Sequence, residues 1–128
     1  MPHLRTPGMV VNPVYPYHRA GAPASFLHST AIDMCHRIIT SLNGGESPGK
    51  RILSADKYPL MWAPVAPRSY PPFYEHAGLG WTLGHYEGLK TISHGAAGFG
   101  LTTFLVFLPE KQRGPSFCAM RNLPRVSR

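Results

Sequence analysis

Apolar residues recur at three- and four-residue steps through Ile32, Cys35, Ile38, Ile39 and Leu42, the period of a single helical face. Ser29 or Thr30 supplies a capping oxygen ahead of them, and Asp33 places negative charge in the first turn. Asn43-Gly44-Gly45 then stops the pattern, since glycine takes the left-handed conformation that ends many helices. The spacing predicts a helix over about 30–42 with this stripe turned to a core. Ser54-Ala55-Asp56-Lys57 opens a second, shorter helix to about Trp62, with Leu53, Tyr58, Met61 and Trp62 as its contacts.

From Leu79 the period changes to two. Leu79, Trp81, Leu83 and His85 alternate with Gly80, Thr82, Gly84 and Tyr86, which predicts a strand. Glu87-Gly88 is the turn and Leu89–Ser93 the antiparallel return. A Gly/Ala-rich bend follows His94. The next strand, 102–108, is apolar on both faces apart from Thr102 and Thr103, so it is expected centrally in a sheet with helices on each face. Residues 116–120 add a short fourth strand. Between the helices and this meander, 63–77 carries Pro64, Pro67, Pro71 and Pro72 and is expected to be an irregular connector. The order predicts an α+β fold of antiparallel strands flanked by helices.

Composition narrows the picture. The chain has 128 residues, enough for one modest domain, with 14 prolines and 13 glycines. Five prolines fall within the first 23 residues, which predicts an irregular, extended arm over 1–24. The longest uninterrupted apolar run is Phe104–Leu108, far short of the roughly 18 residues that span a bilayer. The first 20 residues hold no apolar secretory core, so the expectation is a soluble chain, cytoplasmic by default, without membrane contact. The net charge is +7, and Lys111, Arg113, Arg121, Arg125 and Arg128 all follow the last acidic residue. A basic tail over 121–128 can seek phosphate, which makes a non-enzymatic module for nucleic acid or an acidic partner the alternative function. No aromatics interleave with these arginines as in single-strand binders, so the tail is expected to be a solvated terminus and nucleic acid is not the favoured partner.

Neither cysteine fits a disulfide framework or a zinc motif; Cys35 and Cys118 are both expected as small core residues. The seven histidines include no H-E-x-x-H, and His28 with His36 does not place two ligands on one helical face. No metal or cofactor is expected. Trp62 and Trp81 are expected in the core, and Tyr70, Phe73 and Tyr74 in loop packing rather than at a cleft mouth.

Several segments taken together resemble a known family. These are PYHRAGAPASFLHSTAIDMCHRIITSLNGG from Pro16, GKRILSADKYPLMWAPV from Gly49, GLGWTLGHYEGLKTISHG from Gly78 and FLVFLPEK from Phe104. In this order they are similar to the C-terminal portion of β-lactamase-related serine hydrolases, which include class C β-lactamases, penicillin-binding peptidases and esterases. The resemblance covers about residues 10–120. It implies a partial β-lactamase/transpeptidase-like fold over 25–120 and, in an intact parent, acyl-serine chemistry on a small ester or amide.

Such chemistry needs a serine deprotonated by a nearby base and two aimed N–H donors for the acyl oxyanion. The resemblance places His94 at the lysine or histidine of the third family motif, K-T-G or H-x-G, on the strand lining the cleft. Gly95 is the motif's middle residue. Ala96 stands where the family keeps glycine, and Ala97 is the residue whose backbone N–H serves the oxyanion hole. Gly98 and Phe99 replace the usual D-x before the glycine matched by Gly100. The family's S-x-x-K and Y-x-N motifs lie upstream of the matched region, so the chain is expected to lack both and to be inactive alone. The missing N-terminal part of the domain is the expected partner. Open strand edges and exposed apolar surface are expected to make the isolated chain poorly soluble or oligomeric.

Overall fold

The helix begins where its caps dictate. In the computed structural model, which describes residues 3–6, 8–11, 17–70, 74–98 and 101–120, α1 spans Ala31–Leu42 with Thr30 as its N-cap. The Asp33 amide donates to Thr30 Oγ1 at 3.1 Å, and the Asp33 carboxylate accepts from Thr30 Oγ1 at 2.8 Å and from the Thr30 amide at 3.2 Å. This reciprocal box satisfies amides that a helix start otherwise leaves unpaired. The Thr30 hydroxyl, and after it the Thr30 amide, hold the Asp33 carboxyl below its ordinary value. Asn43 caps the other end, and Gly44 and Gly45 follow with φ of 64° and 87°. Gly45 is required there twice over, because a Cβ would also run into the Tyr58 ring at 2.5 Å.

The face that α1 buries differs from the predicted stripe. Met34, Ile38, Ser41 and Leu42 face inward, whereas Ile32 (69% exposed) and Ile39 (52%) face outward. Cys35 is likewise exposed rather than in the core. The helix carries two apolar arcs, and packing selects the one that fits the sheet. Cys118 lies on a strand whose side chains are outside those described.

Among the described residues ten strands accompany α1. A two-stranded ladder of β1 (His3–Thr6) and β2 (Gly8–Val11) occupies the proline-rich N-terminal stretch, where irregular extended chain was expected. A small hairpin follows α1: β3 (Glu46–Ser47) pairs with β4 (Lys50–Arg51) around Pro48-Gly49, with Gly49 at φ 75° as a type II turn demands. The predicted second helix is a 3-10 turn, Tyr58–Trp62, preceded by a turn in which the Ser54 carbonyl accepts from the amides of Lys57 and Tyr58. Pro59 removes an amide donor, and the segment is too short for a regular helix.

The main sheet is antiparallel, with strand order β10-β9-β8-β7-β6-β5. The six strands are β5 (Ala66–Tyr70), β6 (Tyr74–Ala77), β7 (Thr82–Tyr86), β8 (Leu89–Gly98), β9 (Leu101–Phe107) and β10 (Ser116–Met120). The predicted connector is therefore two strands. Pro67 is tolerated because β5 is the sheet edge, and its ladder with β6 shifts register between Pro67 and Tyr70. Glu87 and Gly88 both take positive φ, the type I′ turn that matches strand twist, and join Tyr86 to Leu89. The predicted Gly/Ala-rich bend is a strand too: β8 runs on through His94, paired with β9 as far as Gly98↔Leu101.

The core lies between α1 and one face of this sheet. Leu83↔Ile92 and Ile92↔Phe107 are register partners, so these side chains share a face with Leu105 and meet Ile38 from the helix. Ile92 and Phe107 are fully buried. Phe107 is gripped by Trp81 and Trp62, with ring centroids 5.2 and 5.4 Å away, and Tyr58 stacks edge-on against Trp62. The two tryptophans are thus packing residues, as expected. β9 is second from the sheet edge rather than central, and α1 covers its Leu105–Phe107 face while Phe104 and Val106 on the other face stay partly exposed. Among the described residues no helix is long and apolar enough to cross a membrane.

Candidate functional site

The sheet is not equally wide along its length. β7 pairs with β8 only up to Thr82↔Ser93, where the Ser93 hydroxyl donates to the Thr82 carbonyl at 3.4 Å. β8 then continues for His94–Gly98 with β9 on one side and no described strand on the other. Alternate residues of an antiparallel strand turn their N–H and C=O to opposite sides. Every second residue of this stretch therefore offers both groups to an open edge.

An open cleft of about 630 Å³ lies at that notch. His94, Gly95, Ala96 and Ala97 all line it, so the four positions singled out in the sequence come together on one wall. The His94 ring is exposed and makes no hydrogen bond to a described residue, unlike a strand-end histidine satisfied by backbone. Gly95 allows the closest approach, since a Cβ there would sit 3.2 Å from the Phe104 ring opposite it. Ala96 and Ala97 face Thr103 and Thr102 across the ladder.

Other parts of the wall were not anticipated. Arg68 and Tyr74 reach the cleft from β5 and β6, the stretch taken as connector, and Thr102, Thr103 and Phe104 from β9. Tyr74 is thus a cleft residue rather than loop packing; Phe73 and the side chain of Tyr70 lie outside those described. The two threonines had left a signal, as the polar opening of an otherwise apolar strand. Arg68 had left none, because prolines hid its strand. Arg68 Nη1 approaches Thr82 Oγ1 at 3.5 Å, and the cleft lining holds no carboxylate among the described residues.

The S-x-x-K expectation needs correction. That spacing occurs twice, at Ser47–Lys50 and Ser54–Lys57. Ser47 and Lys50 are register partners across the β3–β4 turn, and Ser54 and Lys57 span the turn before the 3-10 segment. Neither serine begins an α-helix, where the next turn would aim the lysine back at it, and neither lines the cleft. Y-x-N does not occur in the sequence. Among the described residues no cluster of three His, Cys, Asp or Glu is arranged to hold a metal ion. With hydroxyls, a histidine and an open strand edge but, among the described lining residues, no serine or cysteine, this wall can bind, orient and polarise a carbonyl.

Comparison with known proteins agrees with this architecture. The Beta-lactamase family profile matches residues 2–123, nearly the whole chain. No match was found among curated proteins or among solved structures. An antiparallel sheet backed by a helix, a histidine strand with an open edge and a family match of this extent lead to one conclusion: the chain belongs to the Beta-lactamase family, whose chemistry is that of serine hydrolases.

Proposed function

We propose that this chain forms one wall of an acyl-serine hydrolase cleft, of the kind that opens esters or amides, and is not catalytically competent by itself. The observation that carries the reading is the open edge of β8, where His94 to Ala97 line the cleft together. In this role His94 donates a hydrogen bond that orients the acyl group, and the Ala97 N–H serves the developing oxyanion. Attack requires a serine whose proton passes to an adjacent base, giving an acyl-enzyme that water then cleaves. An upstream polypeptide carrying S-x-x-K and Y-x-N supplies those groups. The outward Ile32 and Ile39 of α1 suit burial against it. Class C β-lactamase-like, penicillin-binding-protein-like and esterase-like activities all fall within this chemistry.

The purified chain is expected to turn over neither nitrocefin nor short p-nitrophenyl esters. Turnover abolished by a fluorophosphonate would overturn the reading. Co-expression with a family polypeptide bearing the two upstream motifs is expected to restore hydrolysis, and failure of the two to co-purify counts against that partner.

A further inference from the structure

We propose that β10 is the contact edge of a symmetric dimer, paired antiparallel with the β10 of a second copy of this chain. The inference goes beyond the hydrolase reading and does not depend on it. The main sheet ends in two edges that differ in kind. β5 carries Pro67 and Arg68, and its ladder shifts register, all features that keep an edge from recruiting another strand. β10 has the sequence SFCAM, without proline or charge, and pairs with β9 in unbroken register from Ser116 to Met120. α1 packs against it, so the strand is held as part of the sheet. Among the described residues no strand lies on its other side. A regular, uncharged edge of this kind is a template for one more strand.

The backbone of β10 fixes the register of that pairing. Antiparallel strands alternate between residues bonded to a neighbour and residues whose N–H and C=O point away from it. The Val106 amide donates to the Pro115 carbonyl at 3.3 Å, and the Leu108 amide to the Arg113 carbonyl at 2.7 Å. Phe117 and Ala119 therefore bond β9, while Ser116, Cys118 and Met120 present their backbone groups to the outside. A two-fold axis at Cys118 sets Ser116 against the second copy's Met120 and Cys118 against its own equivalent. Every outward group of the strand then has a counterpart, giving about six hydrogen bonds between copies. Centring the axis on Phe117 or Ala119 leaves one outward residue of each strand without a counterpart in β10. An axis between residues sets outward groups against bonded ones. No like charges meet along the span, because it holds none. The junction lies on the side of β9 away from β8, so each copy keeps its own cleft. One short strand is a small interface, which predicts a weak, concentration-dependent dimer.

Amide hydrogen exchange of the whole chain, read residue by residue at about 20 µM and about 1 mM, tests both the dimer and its register. Reducing conditions keep the exposed Cys35 from linking copies through a disulfide. Sedimentation is expected to move from monomer towards dimer over the same range. The amides of Ser116, Cys118 and Met120 should exchange about threefold or more slowly at the higher concentration, and those of Phe117 and Ala119 should be protected at both. Cys118→Pro removes an outward N–H, which an edge strand tolerates, and should weaken association about tenfold. Ser69→Lys, on the other edge of the sheet, should leave association unchanged. A chain that stays monomeric at the higher concentration would overturn the proposal. So would equal protection of residues 116, 118 and 120 at both concentrations, which would mean that the same chain covers the edge. Concentration-dependent protection at residues 95 and 97 or in α1 instead would place the contact elsewhere and overturn it too, as would assembly beyond a dimer, since two-fold pairing closes. Those results leave the hydrolase-wall reading standing, whereas hydrolysis by the chain alone would overturn that reading and not this one.

Discussion

β8 is two structures in one strand. From Leu89 to Ser93 it is paired with β7, with β9 joining on the other side at Ile92 and Ser93, and Thr91, Ile92 and Ser93 are buried. From His94 to Ala97 it is paired, among the described strands, with β9 alone, and every residue is exposed. The first half carries side chains chosen for packing. The second carries glycine and alanines that leave backbone accessible, and a histidine whose ring makes no hydrogen bond to a described residue. A strand of this kind delivers chemistry by being fixed at one end and uncovered at the other, so mutations in its two halves should separate stability from function.

The largest effect should come from the packed half. Phe107 is the register partner of Ile92, is fully buried and contacts both tryptophans. Phe107→Ala removes a ring that its rigid neighbours cannot replace, and should cost about 3–5 kcal/mol in urea unfolding. For a domain whose whole stability is on the order of 5–15 kcal/mol, that loss leaves the fold marginal. A cost below about 1 kcal/mol would mean that the core is not organised around this residue.

The helix that covers the packed half offers a smaller test. Thr30→Ala removes the capping oxygen of α1 and should cost about 1 kcal/mol. The effect should depend on pH with a defined sign. Because Thr30 depresses the folded-state pKa of Asp33, the carboxylate's contribution is present above its unfolded value of about 3.9 and is lost as pH falls through the lower folded value. The stability gap between wild type and Thr30→Ala should therefore be constant near neutral pH and narrow below about pH 4. A gap that widens on acidification would contradict the capping box.

These same residues indicate how much the sequence made legible. Thr30, Asp33 and the Asn43-Gly44-Gly45 stop act through neighbours three or four positions away, so local pattern sufficed to place the helix. The Glu87-Gly88 turn is equally local, because two positive-φ residues form it on their own. What failed was decided at a distance. Either apolar arc of α1 could have faced the sheet, and docking of the helix on β9 and β10 put Ile38 inside and Ile39 outside. The Gly/Ala run after His94 has no side-chain alternation to declare a strand, and pairing with residues 101–105 makes it one. Pro67 argues against a strand anywhere but at an edge, and edge position is a property of the sheet. The candidate site was half legible for the same reason: its motif strand is continuous in sequence, while Arg68 and Tyr74 arrive through a hairpin that the prolines concealed.

At the junction of the two halves, Gly95→Ala should have a smaller effect than either change above. Replacing a strand glycine ordinarily gains up to about 1 kcal/mol through the unfolded chain. Here the new Cβ meets the Phe104 ring at 3.2 Å, so crowding should cancel that gain and leave a net loss of about 0.5 kcal/mol or less. A stabilisation near 1 kcal/mol would show that the ring yields freely and that glycine is not needed for close approach.

The smallest stability effect should belong to His94 itself, and that is its diagnostic value. The ring is exposed and has no hydrogen-bond partner among the described residues, so His94→Ala should change unfolding free energy by less than about 0.5 kcal/mol. Function should respond in the opposite way. In the co-expressed assembly proposed above, removing a group that donates to the reacting substrate should lower turnover by about 10²-fold or more, with assembly intact by co-purification. A histidine that served only the strand would give the reverse pattern, measurable destabilisation with undiminished turnover. His94→Ala thus asks of the open half what Phe107→Ala asks of the packed one. If both variants lost stability alike, β8 would be one continuous core strand and the cleft beside it would have no claim to chemistry.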